Sequence, residues 1–302
     1  MRARPLRSVC ALFALAACVP ADGAISLGSV SFTVTASRPA NAGFQTTDFD
    51  VWTVSFERIV LGFRTMTIGK VGDPDRCSYR GRGERSDIVF DPRFGIVQTF
   101  NGIAPANCED VGVFLAPPGD NTEVGPGAIS KELVELAEGA PAHAIIDAAA
   151  ATSTDFTGTA TSTTRQQYEL RLRFETATTS SRFGGCEGRG EAKGIRIQAN
   201  ERLSFGVSFA PENLFRDSLG FNGAFRFDPF VEADRLGDDD GIITMEELDQ
   251  LPLSHLRGFG DAYELADGTR TGSFGDYVRY AFRFTFYFKD VGTCVGNAPG
   301  AE

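Results

Sequence analysis

The chain has 302 residues, 42% hydrophobic and 23% charged, enough apolar material for one large core or two modest ones, which excludes a wholly disordered polymer. Its 40 acidic against 29 basic residues give a formal charge of −11, the wrong sign for a nucleic-acid binder, which needs a basic footprint. With only two histidines, His143 and His255, no three-histidine metal centre can form.

The chain opens on a processing segment. Arg2, Arg4 and Arg7 form a positive head, followed by an apolar stretch from Val9 to Ala17. A stretch of that length is too short for a transmembrane helix, which needs about 20 apolar residues. It ends Leu15-Ala16-Ala17-Cys18, which resembles the lipobox of bacterial lipoprotein signals. The resemblance implies cleavage of residues 1–17, thioether lipidation of Cys18 and anchoring of the mature amino terminus in a membrane. Each buried acyl methylene contributes about 0.8 kcal/mol, so several chains hold where one does not. Val19 follows the cysteine where aspartate would, in the enterobacterial pattern, retain the protein at the inner membrane, which points to the outer membrane. The alternative is an ordinary secretory signal cut near Ala21 to Ala24.

Strands are expected from Ser26 to about Phe209. Val30, Phe32 and Val34 alternate with Ser31, Thr33 and Thr35, the period of a half-buried strand. The pattern continues over Val51–Phe63, Gly95–Phe100, Val111–Leu115, Ala144–Asp147, Phe156–Thr161, Tyr168–Phe174 and Gly194–Phe209. About eight strands separated by turn residues predict a β-sandwich. A helix over Ser130–Glu138 interrupts them, with Ser130 as N-cap and Gly139 beyond its end. Gly81-Arg82-Gly83-Glu84 and Gly188-Arg189-Gly190-Glu191 read as two glycine turns rather than a repeat.

Cys10 lies in the signal and Cys18 carries the lipid, leaving Cys77, Cys108, Cys186 and Cys294. An even number in an exported chain implies two disulfides, with three connectivities open. Cys77–Cys108 and Cys186–Cys294 is the expected pair, and no C-x-x-C motif favours a zinc or redox role.

After Ala210 helical signals take over. Pro211 precedes a helix over Glu212–Leu219, and Asp228-Pro229 reads as an N-cap followed by N1. Thr244 and Glu247 form a capping box. Phe274, Tyr277, Val278 and Ala281 match a helical face, whereas Tyr280, Phe282, Phe284, Phe286 and Phe288 alternate as in a strand. A helix from Phe274 giving way to a strand near Phe284 reconciles the two. The chain thus divides into a signal (1–17), a β-sandwich (18–210) and a mixed, helical portion (211–302).

The one constellation with chemistry is Asp234-Arg-Leu-Gly-Asp238-Asp239-Asp240-Gly241-Ile242-Ile243-Thr244-Met245-Glu246-Glu247. From Asp238 onward it resembles an EF-hand calcium loop. The resemblance implies ligands from Asp238 and Asp240, the backbone carbonyl of Ile242 and a bidentate Glu247, with Gly241 at the sharp turn. Strict spacing places Leu236 where the first aspartate belongs, so Asp234 serves only if the loop carries two extra residues. Calcium takes six to eight oxygen ligands, a set this loop offers, and the ion's role would be structural. The alternative is an acidic surface turn whose aspartates cap amides before a helix.

Catalytic motifs are absent: neither histidine adjoins a G-x-S-x-G nucleophile, and no phosphate loop occurs. Trp52 and the 26 phenylalanines read as core rather than as a ligand groove. The reading is therefore a non-enzymatic, membrane-anchored lipoprotein with a calcium-stabilised loop, partner unknown. The alternatives are a binding module for an apolar or carbohydrate ligand and a carboxylate-pair hydrolase.

Overall fold

The computed structural model describes residues 26–69, 79–80, 88–108, 110–115, 122–128, 152–175, 181–184, 195–220, 222–258, 263–265, 268, 271–289, 292–293 and 295–296. The signal segment, Cys18, Cys77, Cys186, Cys294, His143, both Gly-Arg-Gly-Glu turns, the Ser130–Glu138 helix and the Ala144–Asp147 strand lie outside them.

Extended segments run in chain order as β1 (Gly28–Ala36), β2 (Phe44–Gln45), β3 (Trp52–Gly69), β4 (Tyr79–Arg80), β5 (Ile88–Phe90) and β6 (Ile96–Ile103). Then come β7 (Ala106–Cys108), β8 (Asp110–Leu115), β9 (Glu123–Val124), β10 (Thr152–Ser162), β11 (Gln167–Glu175) and β12 (Ser181–Gly184). The last group is β13 (Ile195–Ile197), β14 (Arg202–Phe209), β15 (Ile242–Thr244), β16 (Phe286–Lys289), β17 (Gly292–Thr293) and β18 (Val295–Gly296). The helices among the described residues are short: α1 (Arg38–Ala42), α2 (Asp228–Leu236), α3 (Met245–Gln250) and α4 (Phe274–Phe282), with 3-10 turns at Pro211–Phe215 and Leu253–Gly258.

The fold is mainly β, as expected. One sheet runs β17-β16-β14-β1-β6; the larger runs β15-β11-β10-β3-β8-β12-β18, with β2, β4 and β5 also on β3 and β9 on β5. Alternation along β1 sends Val30, Phe32 and Val34 fully inward. Residues from both sheets share one core. Phe156 of β10 stacks on Phe209 of β14 at 5.8 Å, and Phe209 meets Phe286 of β16 at 4.9 Å, so rings join the two layers. Each fully buried phenylalanine stabilises by roughly 1.5–3 kcal/mol relative to exposure.

β3 keeps contact with this core over its 18 residues by changing phase twice. Val54 and Phe56 point inward, then Ile59, Leu61 and Phe63, then Met66 and Ile68. Each change falls at a register shift, where the pairing with β10 skips Glu57 and the pairing with β8 skips Arg64. An extra residue flips every later side chain to the other face, and two flips restore the original phase.

Three local expectations are corrected. Gly194–Phe209 is two strands, because Asn200 adopts φ 59° and turns the chain; β13 pairs with β7 and β14 with β1. Glu212–Leu219 is not a helix. Only the 3-10 turn Pro211–Phe215 forms, after which Arg216 bridges antiparallel to Phe225 and its backbone carbonyl accepts the Tyr277 hydroxyl at 2.8 Å. Asp228 is the first helical residue rather than the N-cap. Asp48, far away in sequence, accepts from the amides of Phe227 (2.5 Å) and Asp228 (3.4 Å) and supplies the cap. The carboxy-terminal region gives helix α4 followed by strand β16. Its strands are woven into both sheets, β15 beside β11 and β16 beside β14.

Trp52 is core, with Phe227 at 5.0 Å and Tyr168 at 5.6 Å. Phe282 and Phe286 are buried likewise, and Phe284 is half-buried. Cys108 is buried and disulfide-bonded, its partner lying outside the described residues.

Candidate metal centre

The site is assembled by α2, the loop after it, β15 and α3. Helix α2 buries Phe230, Val231, Ala233 and Asp234. Asp234 falls on that inward stripe because it stands one turn beyond Phe230. Its carboxylate is thus carried inside by apolar neighbours, and it sits in the last turn, where the helix dipole disfavours a negative charge.

The helix ends at Gly237, whose amide donates to the carbonyls of Ala233 (2.9 Å) and Asp234 (3.0 Å). A side chain there has to displace Glu247: a Cβ on Gly237 would stand 2.6 Å from Glu247 Oε1. The following turn is tight, with Asp239 at φ 53° and Gly241 at φ 83°. Gly241 donates its amide to Asp234 Oδ1 at 3.1 Å, and Ile242 donates its own to Asp240 Oδ1 at 2.7 Å. Beyond the turn, β15 lies parallel to β11, with Ile242 opposite Glu169, Ile243 opposite Leu170 and Thr244 opposite Arg171. Ile243 is fully buried and fixes the strand. The Gly241 carbonyl accepts from the Glu169 amide at 2.9 Å. Successive carbonyls of extended chain point to opposite sides, so that of Ile242 turns away from β11.

The capping box then orients Glu247. Its Oε2 accepts from the Thr244 amide at 2.8 Å and hydroxyl at 3.1 Å, while Thr244 Oγ1 accepts from the Glu247 amide at 3.4 Å. One oxygen is thereby engaged, whereas the loop resemblance implies both for the ion. The other, Oε1, points at Gly237.

Asp234, Asp238, Asp240 and Glu247 converge, each offering a carboxylate oxygen and all four lying within 4.8 Å of one another. Asp234 takes the place that strict spacing assigns to Leu236, which is 43% exposed. Asp238 and Asp240 are exposed, whereas Asp234 (0%) and Glu247 (6%) are shut off from solvent beneath a thin cover. Among the described residues, Asp234 Oδ2 and Glu247 Oε1 are buried without a hydrogen-bond partner. An unpaired buried acceptor costs about 1–3 kcal/mol, and more when charged. Burial pushes the Asp234 carboxyl above the usual range; the Gly241 amide opposes this, and Asp239, Asp240 and Asp238 reinforce it. Glu247 is raised mainly by burial too, against the Thr244 hydrogen bonds and with Asp234 and Asp238 adding repulsion. A cation among these oxygens offsets both desolvation and repulsion, so the cluster can hold a metal ion.

Sequence spacing did not reveal Gly237 as the contact beneath Glu247, although a glycine after the last helical turn was the available signal. Among the other candidates, His255 is exposed on a 3-10 turn. A shallow polar groove of about 690 Å³ lies on the smaller sheet, lined by Ser29, Ser31, Thr99, Asn101 and Arg202 among others. The chemistry has to be read from these residues alone, because the chain matches no family model, no curated protein and no solved structure.

Proposed function

We propose that this chain is an exported, membrane-anchored protein without catalytic activity, whose acidic loop holds a structural calcium ion. The observation that carries the ion is the pair of buried, unpartnered oxygens, Asp234 Oδ2 and Glu247 Oε1, beside the carboxylates of Asp238 and Asp240. Four carboxylates with a carbonyl such as that of Ile242 make an all-oxygen, highly anionic donor set. That chemistry suits calcium, whereas magnesium keeps most of its waters on one or two carboxylates, and zinc favours nitrogen and sulfur. The affinity expected is on the order of 10⁻⁴–10⁻³ M, in the range of extracellular modules. Isothermal titration with calcium and with magnesium tests it. Saturable heat and a raised melting temperature with calcium support the site; no heat and no shift at millimolar calcium remove it.

Anchoring rests on the Leu15-Ala16-Ala17-Cys18 segment. Among the described residues no helix is long and apolar enough to cross a membrane. Metabolic labelling with a palmitate analogue tests the anchor, with Cys18→Ala expected to lose label and leave the membrane fraction. The four remaining cysteines are assigned to two bridges, Cys77–Cys108 and Cys186–Cys294, which peptide mapping without reduction checks. A second reading, a module that binds a polar ligand such as a carbohydrate, is favoured by the groove of Ser29, Ser31, Thr99, Asn101 and Arg202. A glycan array read with and without Arg202→Ala separates the two.

A further inference from the structure

Resting on the calcium reading, a further property follows from how the loop is tied to the large sheet. β15 is an edge strand of three residues with β11 as its sheet neighbour. So short an edge has little intrinsic hold. Its docking depends on the buried Ile243 and on the turn that delivers it. That turn is governed by Gly241, which uses both of its backbone groups: the amide donates to Asp234 Oδ1 and the carbonyl accepts from the Glu169 amide. One peptide residue therefore joins a carboxylate of the cluster to the sheet. The flanking residue is held by the cluster on the side away from the sheet: Ile242 donates to Asp240 while standing in register with Glu169. On the far side, Thr244 pairs with Arg171 and holds Glu247.

The field of Arg171 reaches Asp240, and Arg235 lies beside the Tyr168 hydroxyl, but the contacts of these two side chains are made to groups outside the cluster. Arg171 forks onto Glu169 at 2.8 and 3.1 Å, and Arg235 lies 3.9 Å from Glu232. Repulsion among Asp234, Asp238, Asp240 and Glu247 thus acts on Gly241, Ile242 and Thr244, the residues that flank the buried Ile243. We infer that cation occupancy locks β15 onto β11: with the ion bound the large sheet keeps its edge strand, and without it the loop opens and the strand leaves.

Amide hydrogen exchange on the purified protein, in calcium and in EDTA, tests the lock, with binding measured in parallel by terbium luminescence. If the ion binds only the docked form, raising free calcium to ten times Kd slows exchange of the Glu169 amide about tenfold. Amides of β1, in the other sheet, stay unchanged. Asp240→Asn keeps an acceptor for the Ile242 amide but removes a charge, so the same protection needs more calcium. If terbium binds and Glu169 exchange does not change, the lock is wrong and the metal site stands. If exchange slows equally in β1, the ion stabilises the whole fold and the lock is again wrong. If terbium does not bind, the calcium reading fails and the lock with it.

Discussion

The indole Nε1 of Trp52 donates to Asp228 Oδ1 at 2.8 Å, tying the sole tryptophan of the chain to the first turn of the helix whose last turn carries Asp234. Tyr168, whose ring lies 5.6 Å from the indole, has its hydroxyl pushed up mainly by burial, with the Arg235 charge opposing and Asp234 and Asp239 reinforcing the shift. Trp52 is therefore a built-in reporter for the acidic loop. Calcium titration is expected to change its emission with the same midpoint as the heat of binding. Trp52→Phe should abolish the signal, leave calcium affinity within about threefold, and cost about 2–3 kcal/mol in urea unfolding from the smaller ring and the lost hydrogen bond.

Asp234→Asn separates charge from shape. The amide retains an acceptor for the Gly241 amide but carries no buried charge. In EDTA the variant is expected to be as stable as the native protein or about 1 kcal/mol more stable, because an uncompensated carboxylate has been removed. In calcium it should gain nothing. Parallel thermal melts in the two buffers give the comparison, and an equal calcium-induced gain in both proteins would contradict the assignment of Asp234.

Steric pressure on Glu247 offers a different route to the same site. Gly237→Ala places a methyl group 2.6 Å from Glu247 Oε1 and must push that oxygen aside. Calcium affinity should fall at least tenfold by titration calorimetry, which corresponds to about 1.4 kcal/mol. Thr244→Ala removes the hydroxyl half of the capping box and should cost about 1 kcal/mol of stability.

Glu212 makes a pH-dependent contribution away from the loop. It is buried, accepts from Ser37 Oγ at 2.6 Å, and has its carboxyl pushed up to about 7, chiefly by burial, against the Ser37 bond and the Arg216 charge. A raised carboxyl favours the protonated folded state. Its stabilising effect is full below the unfolded value near 4.5 and is lost as pH rises through about 7. The loss is at most about 3 kcal/mol. Glu212→Gln should match the native protein near pH 4 and exceed it at pH 8 in urea midpoints. A constant difference between the two proteins across that range would contradict the buried acid.

Alternation made β1 legible, because Val30, Phe32 and Val34 keep one phase to the end of the strand. In β3 the bulges at Glu57 and Arg64 break the phase, so a period-2 reading sees the strand end near Phe63 when it continues to Gly69. Asn200 hid a turn inside an apolar run, since asparagine tolerates positive φ without the warning a glycine gives. The cap of α2 was invisible because Asp48 reaches it through the fold. In the acidic loop, spacing identified Asp238, Asp240, the Ile242 carbonyl and Glu247 as candidates, with Asp234 as the first ligand if the loop carries two extra residues. That Asp234 rather than a group at Leu236 joins them depends on the inward face of α2, which spacing does not encode.

The parallel partnership of β1 with β14 has a consequence for how the molecule is made. Phe32 stands opposite Gln98 on one side and Phe205 on the other, so the first strand bonds early to β6 and waits for β14. β14 in turn is flanked by β16, which follows it by more than seventy residues. A chain that emerges amino terminus first cannot complete this sheet until Phe286–Lys289 has arrived. Non-local pairing of that kind slows folding and prolongs the exposure of Phe32, Phe205 and Phe209. Truncation before Phe286 should therefore leave a sticky, protease-sensitive species rather than a shorter stable one.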